Sequence, residues 1–330
     1  MPGLRVDQTA IYLNDMYKTE YDSFKAEPTK YDQIYKVVKA RKAPGDKHTQ
    51  LLGAGNLTRH TVEGQDINFR SPVQGWESLT RYWTFSDGLV FTKEAIEDVN
   101  TGKVGNLLNG LAESWGEAKR YEKESFAAVA FNRGGDLLGE YVFNGSHTGN
   151  SDSSGDMMYD SEPLFNLTGN TRSTKGGGTY YNSISGLSLS PSTFEQLYNL
   201  YTVTMAFSEL DREITNEPDT LLTESGAQSF LAKRILKSTT GLPGTDLNDY
   251  NPYEGLCQPV AWRYLSDSSA FYVGKRAHKD FQFHERQQPN IEMFRDQNNK
   301  NYKVSYDIRF GVWFKVGSWR AWSKGGGSYA

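Results

Sequence analysis

The residue types in this 330-residue chain that most often bind metals or attack substrates are five histidines (His48, His60, His147, His278, His284) and one cysteine, Cys257. Their spacing suits neither task. Only His278 and His284 are close, and on an extended segment two positions six apart lie roughly 20 Å from one another, too far to hold one metal ion. Asp211, Glu213, Glu217 and Asp219 form an acidic run, but it lacks the glycine and terminal glutamate of a calcium loop and reads as a solvated turn. Gly176-Gly177-Gly178 is not followed by a Lys-Ser/Thr pair opening a helix, so it makes no phosphate-binding loop. Cys257 has no activating partner in sequence and reads as a small buried residue. These residues predict no catalytic group, no cofactor and no metal, and therefore no enzyme.

Composition narrows the class further. One cysteine excludes a disulfide framework and any zinc site on paired cysteines. A formal charge of −4 argues against nucleic-acid binding by the whole chain. Residues 1–7 lack the apolar core of a signal peptide, and no stretch approaches the roughly 20 apolar residues of a membrane span, so the expectation is a soluble protein made in the cytosol with no membrane partner. A chain starting at Met1 also carries the expectation that no long propeptide was removed. Twenty tyrosines, 17 phenylalanines and 7 tryptophans suit large flat contact surfaces, where apolar area meets a polar rim. Function is then to be sought in the elements that carry those surfaces.

Residues 1–46 are rich in Lys, Tyr and Asp, with apolar positions too scattered to form a stripe; they read as an arm ordered by lying on something else. Lys36, Lys39, Arg41 and Lys42 form a small basic cluster best read as a solvated or intersubunit face. Asp66–Arg70 and Leu79–Phe85 alternate in polarity and predict the arms of a long hairpin. An isolated two-stranded ribbon is marginal in water, so Phe69, Trp76, Tyr82, Trp83 and Phe85 are the candidate contacts with a neighbouring subunit.

From Thr92 to about Phe131 the pattern is helical, with Val104, Leu108, Leu111, Trp115 and Ala118 on the expected buried face and a bend or break near Gly102 and Gly105. Residues 144–186 read as an irregular loop. Two capping boxes, Ser192–Glu195 and Ser225–Gln228, open helices carrying Phe194, Leu197, Tyr198 and Tyr201, and Phe230, Leu231 and Ile235. The strongest pattern closes the chain: every even position from Tyr302 to Val316 is apolar or aromatic, while Lys303, Ser305, Asp307, Arg309 and Lys315 share the odd ones. That predicts a strand of about 50 Å at roughly 3.3 Å per residue, one face buried and the other mostly solvated.

This order of elements resembles the major capsid proteins of tailed bacteriophages, the Hong-Kong-97 type of α+β fold shared with encapsulins. The resemblance spans nearly the whole chain. Its clearest pieces are Tyr159–Phe165, Leu187–Ser190, Asp219–Leu222, Ala270–Val273 and Arg309–Trp313, in that order. It implies an N-terminal arm (1–46), an extended E-loop (47–90), a peripheral domain with a spine helix and connecting loop (91–184), an axial domain (185–274), and the long strands and C-terminus of the peripheral domain (275–330). The implied function is self-assembly through pentamers and hexamers into an icosahedral shell of the virion, formed in the host cytoplasm and enclosing double-stranded DNA without reading its sequence. A cement or decoration protein, a scaffold and a portal are the further partners implied. Some relatives weld their shells by an isopeptide bond from an E-loop lysine, whereas residues 48–92 here contain none. Arg59, Arg70 and Arg81 cannot replace it, because a guanidinium stays protonated. A non-covalent shell follows. Two other readings remain open from sequence: an encapsulin-type compartment with enzyme cargo, and a glycan-binding or glycan-cleaving β-rich protein, which needs paired carboxylates in a cleft.

Overall fold

A computed structural model describes residues 6–39, 47–52, 73–79, 82–92, 101–134, 140–142, 150–152, 162–169, 171–239, 250–299 and 301–327, with residues 59, 61, 63, 66, 67, 69, 71 and 160. The helices are α1 (Val6–Lys25), α2 (Tyr31–Ile34), α3 (Thr101–Asn132), α4 (Pro191–Asn199) and α5 (Ala227–Lys237). The principal strands are β1 (Lys36–Lys39), β2 (Lys47–Leu52), β3 (Val73–Leu79), β4 (Trp83–Phe91), β5 (Ser183–Ile184) and β6 (Thr220–Glu224). They continue with β7 (Gln258–Trp262), β8 (Phe271–Gly274), β9 (Phe281–Arg295), β10 (Tyr302–Phe314) and β11 (Trp322–Gly325). The chain divides into two compact units: residues 1–45, 81–128 and 282–312 form one, and 46–80, 129–281 and 313–330 the other.

The first unit is a four-stranded sheet in the order β1-β9-β10-β4. In β10 the alternation works as read: Val304, Tyr306, Ile308 and Phe310 are buried, while Lys303, Ser305, Asp307 and Arg309 are half-exposed. From Phe310 to Phe314 every residue is buried, so the strand changes from one covered face to two.

The buried face of α3 differs from the expected one. Leu108, Ala112, Trp115, Gly116, Lys119 and Lys123 are buried, Leu111 is half-buried, and Ala118 is exposed. Periodicity could not find this face, because two of its members are lysines. Their charges are paired: Lys119 Nζ lies 3.0 Å from Glu20 of α1, both side chains almost fully buried. Tyr306 donates a 2.9 Å hydrogen bond to the same Glu20 carboxylate. Lys123 pairs with Glu285, which also accepts from the Tyr31 hydroxyl at 3.2 Å. Burial alone would raise the Glu285 carboxyl, yet the Lys123 ammonium beside it holds it below its ordinary range.

The N-terminal segment, read as an arm without a sustained apolar stripe, is helical over much of its length. Residues 6–25 form a 20-residue helix, and Met16 and Glu20 are buried within the same unit. Among its described side chains Met16 is the one buried apolar position, which leaves no stripe for a sequence reader to see; buried ion pairing joins it on the docking face. Tyr17 and Ser23 add hydrogen bonds to Ile291 and to the Glu113 carbonyl.

No break occurs near Gly102 or Gly105, since α3 is continuous for 32 residues from Thr101. Its glycines have separable roles. A Cβ on Gly116 would meet the Glu20 carbonyl oxygen at 2.5 Å and Ser23 Cβ at 2.7 Å, so the absent side chain is what lets α1 approach α3. A Cβ on Gly110 would meet nothing within 4 Å. Gly116→Ala is therefore expected to lower thermal stability, whereas Gly110→Ala should raise it by up to about 1 kcal/mol through helix propensity. Chemical denaturation of the two variants side by side checks this, and equal shifts would exclude the close approach as the reason for Gly116.

The second unit holds a five-stranded sheet in the order β7-β6-β8-β11-β5. Phe131, fully buried, stands among the rings of Tyr272, Trp322, Trp262 and Phe281 at centroid distances of 5.1, 5.4, 5.7 and 5.8 Å. Both helix caps shift from expectation. Ser190 caps α4, accepting from Thr193 N while Thr193 Oγ1 accepts from Ser190 N. Pro191 explains the two-residue shift, because a proline without an N–H fits the first helical position. Gly226, without any side-chain cap, precedes α5, which buries Ser229, Ala232, Ile235 and Leu236 and leaves Phe230 72% exposed.

A candidate assembly surface

The described groups among those that first suggested chemistry have packing or hydrogen-bond partners within the chain. His284 is buried, with Nε2 2.8 Å from Gln282 Oε1 and Nδ1 3.2 Å from the Tyr82 hydroxyl, so each ring nitrogen has a neutral partner. Burial, with Lys279, Lys275 and Arg320 nearby, pushes His278 down to about 4 and keeps it neutral. His48 packs edge-on against Trp313. Residues 60 and 147 lie outside the described residues. Cys257 is buried as read, and burial followed by the Asp219 charge pushes its thiol up to about 12. Among the described residues, no group of three His, Cys, Asp or Glu could hold a metal ion, and no helix is long and apolar enough to cross a membrane.

The acidic run and the triple glycine, read separately from sequence, meet. Asp211, at φ 53°, accepts hydrogen bonds from Thr174 Oγ1 at 2.5 Å, Gly178 N at 2.8 Å and the Tyr180 hydroxyl at 3.1 Å. A side chain on Gly178 would collide with that carboxylate at 2.6 Å. Asp211 is thus not a free member of a solvated turn. The glycine loop does cradle an anion, supplied by the chain itself. Glu213 and Glu217 remain exposed, as expected of such a turn.

The hairpin of residues 47–90 is also redrawn. Its arms are β2 and β3, paired antiparallel from Lys47↔Leu79 to Leu52↔Val73 with an irregularity between Thr49 and Leu51. Leu79–Phe85 is split between two elements, because β4 leaves the ribbon to pair with β10, Trp83 opposite Phe310 and Phe91 opposite Tyr302. Of the other expected arm, residues 68 and 70 lie outside the described residues, and 66, 67 and 69 are exposed and outside any strand.

The five aromatic candidates separate accordingly. Phe85 stacks on Phe310 at 4.5 Å and meets Phe126 edge-on, and Trp83 lies 5.3 Å from Phe126. Both therefore find ring partners in their own chain, against the expectation of partners mainly on a neighbour, because β4 belongs to the sheet and not to the ribbon. Tyr82 stacks beside His284 under Arg286. Lys175 Nζ lies 3.7 Å over the half-buried Trp76 ring. Phe69 alone of the five is almost wholly exposed, at 88%, with Ile67 at 65%. Exposed apolar residues that sequence reading did not single out include Leu89 at 43% and Val90 at 54%, at the far end of β4.

A protein chain of Mycobacterium phage Patience superposes with a TM-score of 0.53 at 11% identity, over 99% of this chain and 92% of that one. The chain has the fold of phage capsid proteins. The capsid of Myoviridae phage XM1 matches at TM-score 0.48 and 12% identity over 86% of this chain and 85% of that one. The capsid of a native GTA particle matches at 0.48 and 10% over 93% and 89%. No protein-family profile and no curated protein sequence matches the chain.

Proposed function

We propose that this chain is the major structural protein of a phage head, assembling through pentamers and hexamers into a closed shell around double-stranded DNA. The reading is carried by the fold shared with the Patience chain over nearly the full length of both. Exposed apolar residues at Ile67, Phe69, Leu89 and Val90 support it, since they supply contact area that a monomer has no use for. In this reading the four-stranded unit with α3 is the peripheral domain, the five-stranded unit contains the axial domain, and residues 47–79 contribute the ribbon that reaches a neighbour. Heterologous contacts of this kind close into rings, and obligate ones bury about 2,000 Å² or more. The virion is the place of function, and scaffold, portal and decoration proteins are the partners such a shell would take. Electron microscopy and sedimentation of the concentrated protein test the proposal: pentameric and hexameric rings closing into hollow particles are expected. A stable monomer at high concentration overturns it.

The same proposal predicts that mature particles fall apart to single chains in hot detergent, because residues 48–92 offer no lysine for an isopeptide bond. Denaturing electrophoresis should give one band at 37.2 kDa. A ladder of oligomers surviving denaturation would show a covalent weld formed elsewhere.

A further inference from the structure

The turn that carries the chain from β8 into β9 is crowded with charge. Lys275-Arg276-Ala277-His278-Lys279-Asp280 holds three bases, one acid and one histidine in six residues. Its backbone bends sharply at Ala277, whose φ of 49° lies in the left-handed region that a side chain disfavours. Two hydrogen bonds close it. Phe281 N donates to the His278 carbonyl at 3.0 Å, and Asp280 N donates to His278 Nδ1 at 3.3 Å.

The second bond sets a condition on the ring. Nδ1 can accept only while it carries no proton, so the imidazole must be neutral with its hydrogen on Nε2. A proton on Nδ1 would set one N–H against another. The surroundings oppose that proton as well: Lys279 and Lys275 flank His278 in the turn, and Arg320 acts on it from the helical turn Ser318–Arg320. Arg320 is itself paired with Glu209 at 2.8 Å, and Arg276 with Asp219 at 3.6 Å. The acid of the turn, Asp280, faces Lys279, Lys315, Arg320 and His48 of β2. A Cβ on Gly317 would meet Arg320 Nη1 at 3.0 Å and Asp280 Oδ2 at 3.4 Å, so those two charges converge on one point of the backbone.

We infer that His278 is an acid-operated latch: neutral, it closes the turn between β8 and β9 by accepting from Asp280 N, and protonated it releases that turn. Burial first, then the Lys279, Lys275 and Arg320 charges, hold the ring down at about 4, against an ordinary value of 6.5. With the folded value depressed, the open turn binds the proton more readily, and the closed turn loses stability as pH falls from 6.5 towards 4. Asp280 runs the other way. Burial raises its carboxyl, so in acid it takes up a proton more readily in the closed turn and offsets part of the loss. The turn joins a strand of the five-stranded sheet to one of the four-stranded sheet, so its release slackens that join while both sheets stay paired.

Hydrogen exchange of the full-length chain at pH 7 and pH 5, corrected for the intrinsic rate at each pH, reads the latch at the Asp280 and Phe281 amides. The ratio of open to closed turn is expected to rise about 20-fold between the two conditions. His278→Gln offers an acceptor that does not titrate, so its amides should keep their protection at pH 5; thermal melting at pH 7 checks that this variant folds. Lys275→Gln, at an exposed position, keeps the latch and removes one cation that opposes the proton, so the rise should become smaller. Unchanged protection in the parent chain at pH 5 overturns the inference. An equal rise in His278→Gln does so too, since the acid response would then belong to another group, and so does a rise in Lys275→Gln as large as the parent's. None of these readings depends on assembly, so the latch and the capsid reading stand or fall separately.

Discussion

Ile308→Lys is expected to destabilise the first unit by on the order of 4 kcal/mol, because it buries an unpaired charge in a packed face. Ile308 is 3% exposed and stands opposite Phe85 on β4. Ser305, three residues earlier, lies on the other face, half-exposed and opposite the exposed Gly88. Ser305→Lys can direct its ammonium into solvent, and its cost should stay within about 0.5 kcal/mol. Soluble yield and thermal melting of the two variants read the difference directly. Similar melting temperatures would mean that the strand's faces have been assigned the wrong way round.

An effect of similar size is expected at Glu20. Glu20→Ala removes the carboxylate that pairs with buried Lys119 and accepts from Tyr306, leaving an ammonium without compensation at a cost of about 3–5 kcal/mol. Replacing both partners, Glu20→Leu with Lys119→Met, removes the charge along with its partner and should recover most of the loss. Thermal melting gives the size of each change, and hydrogen exchange over residues 11–25 shows whether α1 detaches before the sheet unfolds. A single variant as stable as the double one would mean that water, not Glu20, satisfies Lys119.

These two sites mark what the sequence made legible and what it hid. The face of β10 could be read because Val304, Tyr306, Ile308 and Phe310 obey a period of two that needs no knowledge of any other element. The docking face of α1 and α3 could not, because it is built from Glu20, Lys119 and Lys123, residues that by type belong in water until a partner distant in sequence neutralises them. The start of α4 was visible but misplaced, since Ser190 and Ser192 are both acceptable caps and only Pro191 between them decides. The ribbon was recognised as a ribbon, yet its arms were assigned from alternation alone, which also describes β4, a strand that belongs to another sheet. Of the aromatic candidates, Trp83 and Phe85 were drawn into the same error, while nothing in residues 66–71 revealed a partner because none lies among the described residues. The meeting of Asp211 with the glycine loop was invisible for a simpler reason: 33 residues separate the carboxylate from Gly178.

The change in β10 from one covered face to two has a consequence for how this protein can vary over evolutionary time. Between Lys303 and Arg309 alternate positions meet solvent, so drift there can exchange lysine, serine, aspartate and arginine for one another with little penalty. After Phe310 both sides of the strand are enclosed, and Gly311 through Phe314 must keep their volumes together or not at all. Lineages descended from this chain should therefore diverge at every second residue along the first half of the strand and then, within a single step at Gly311, stop diverging.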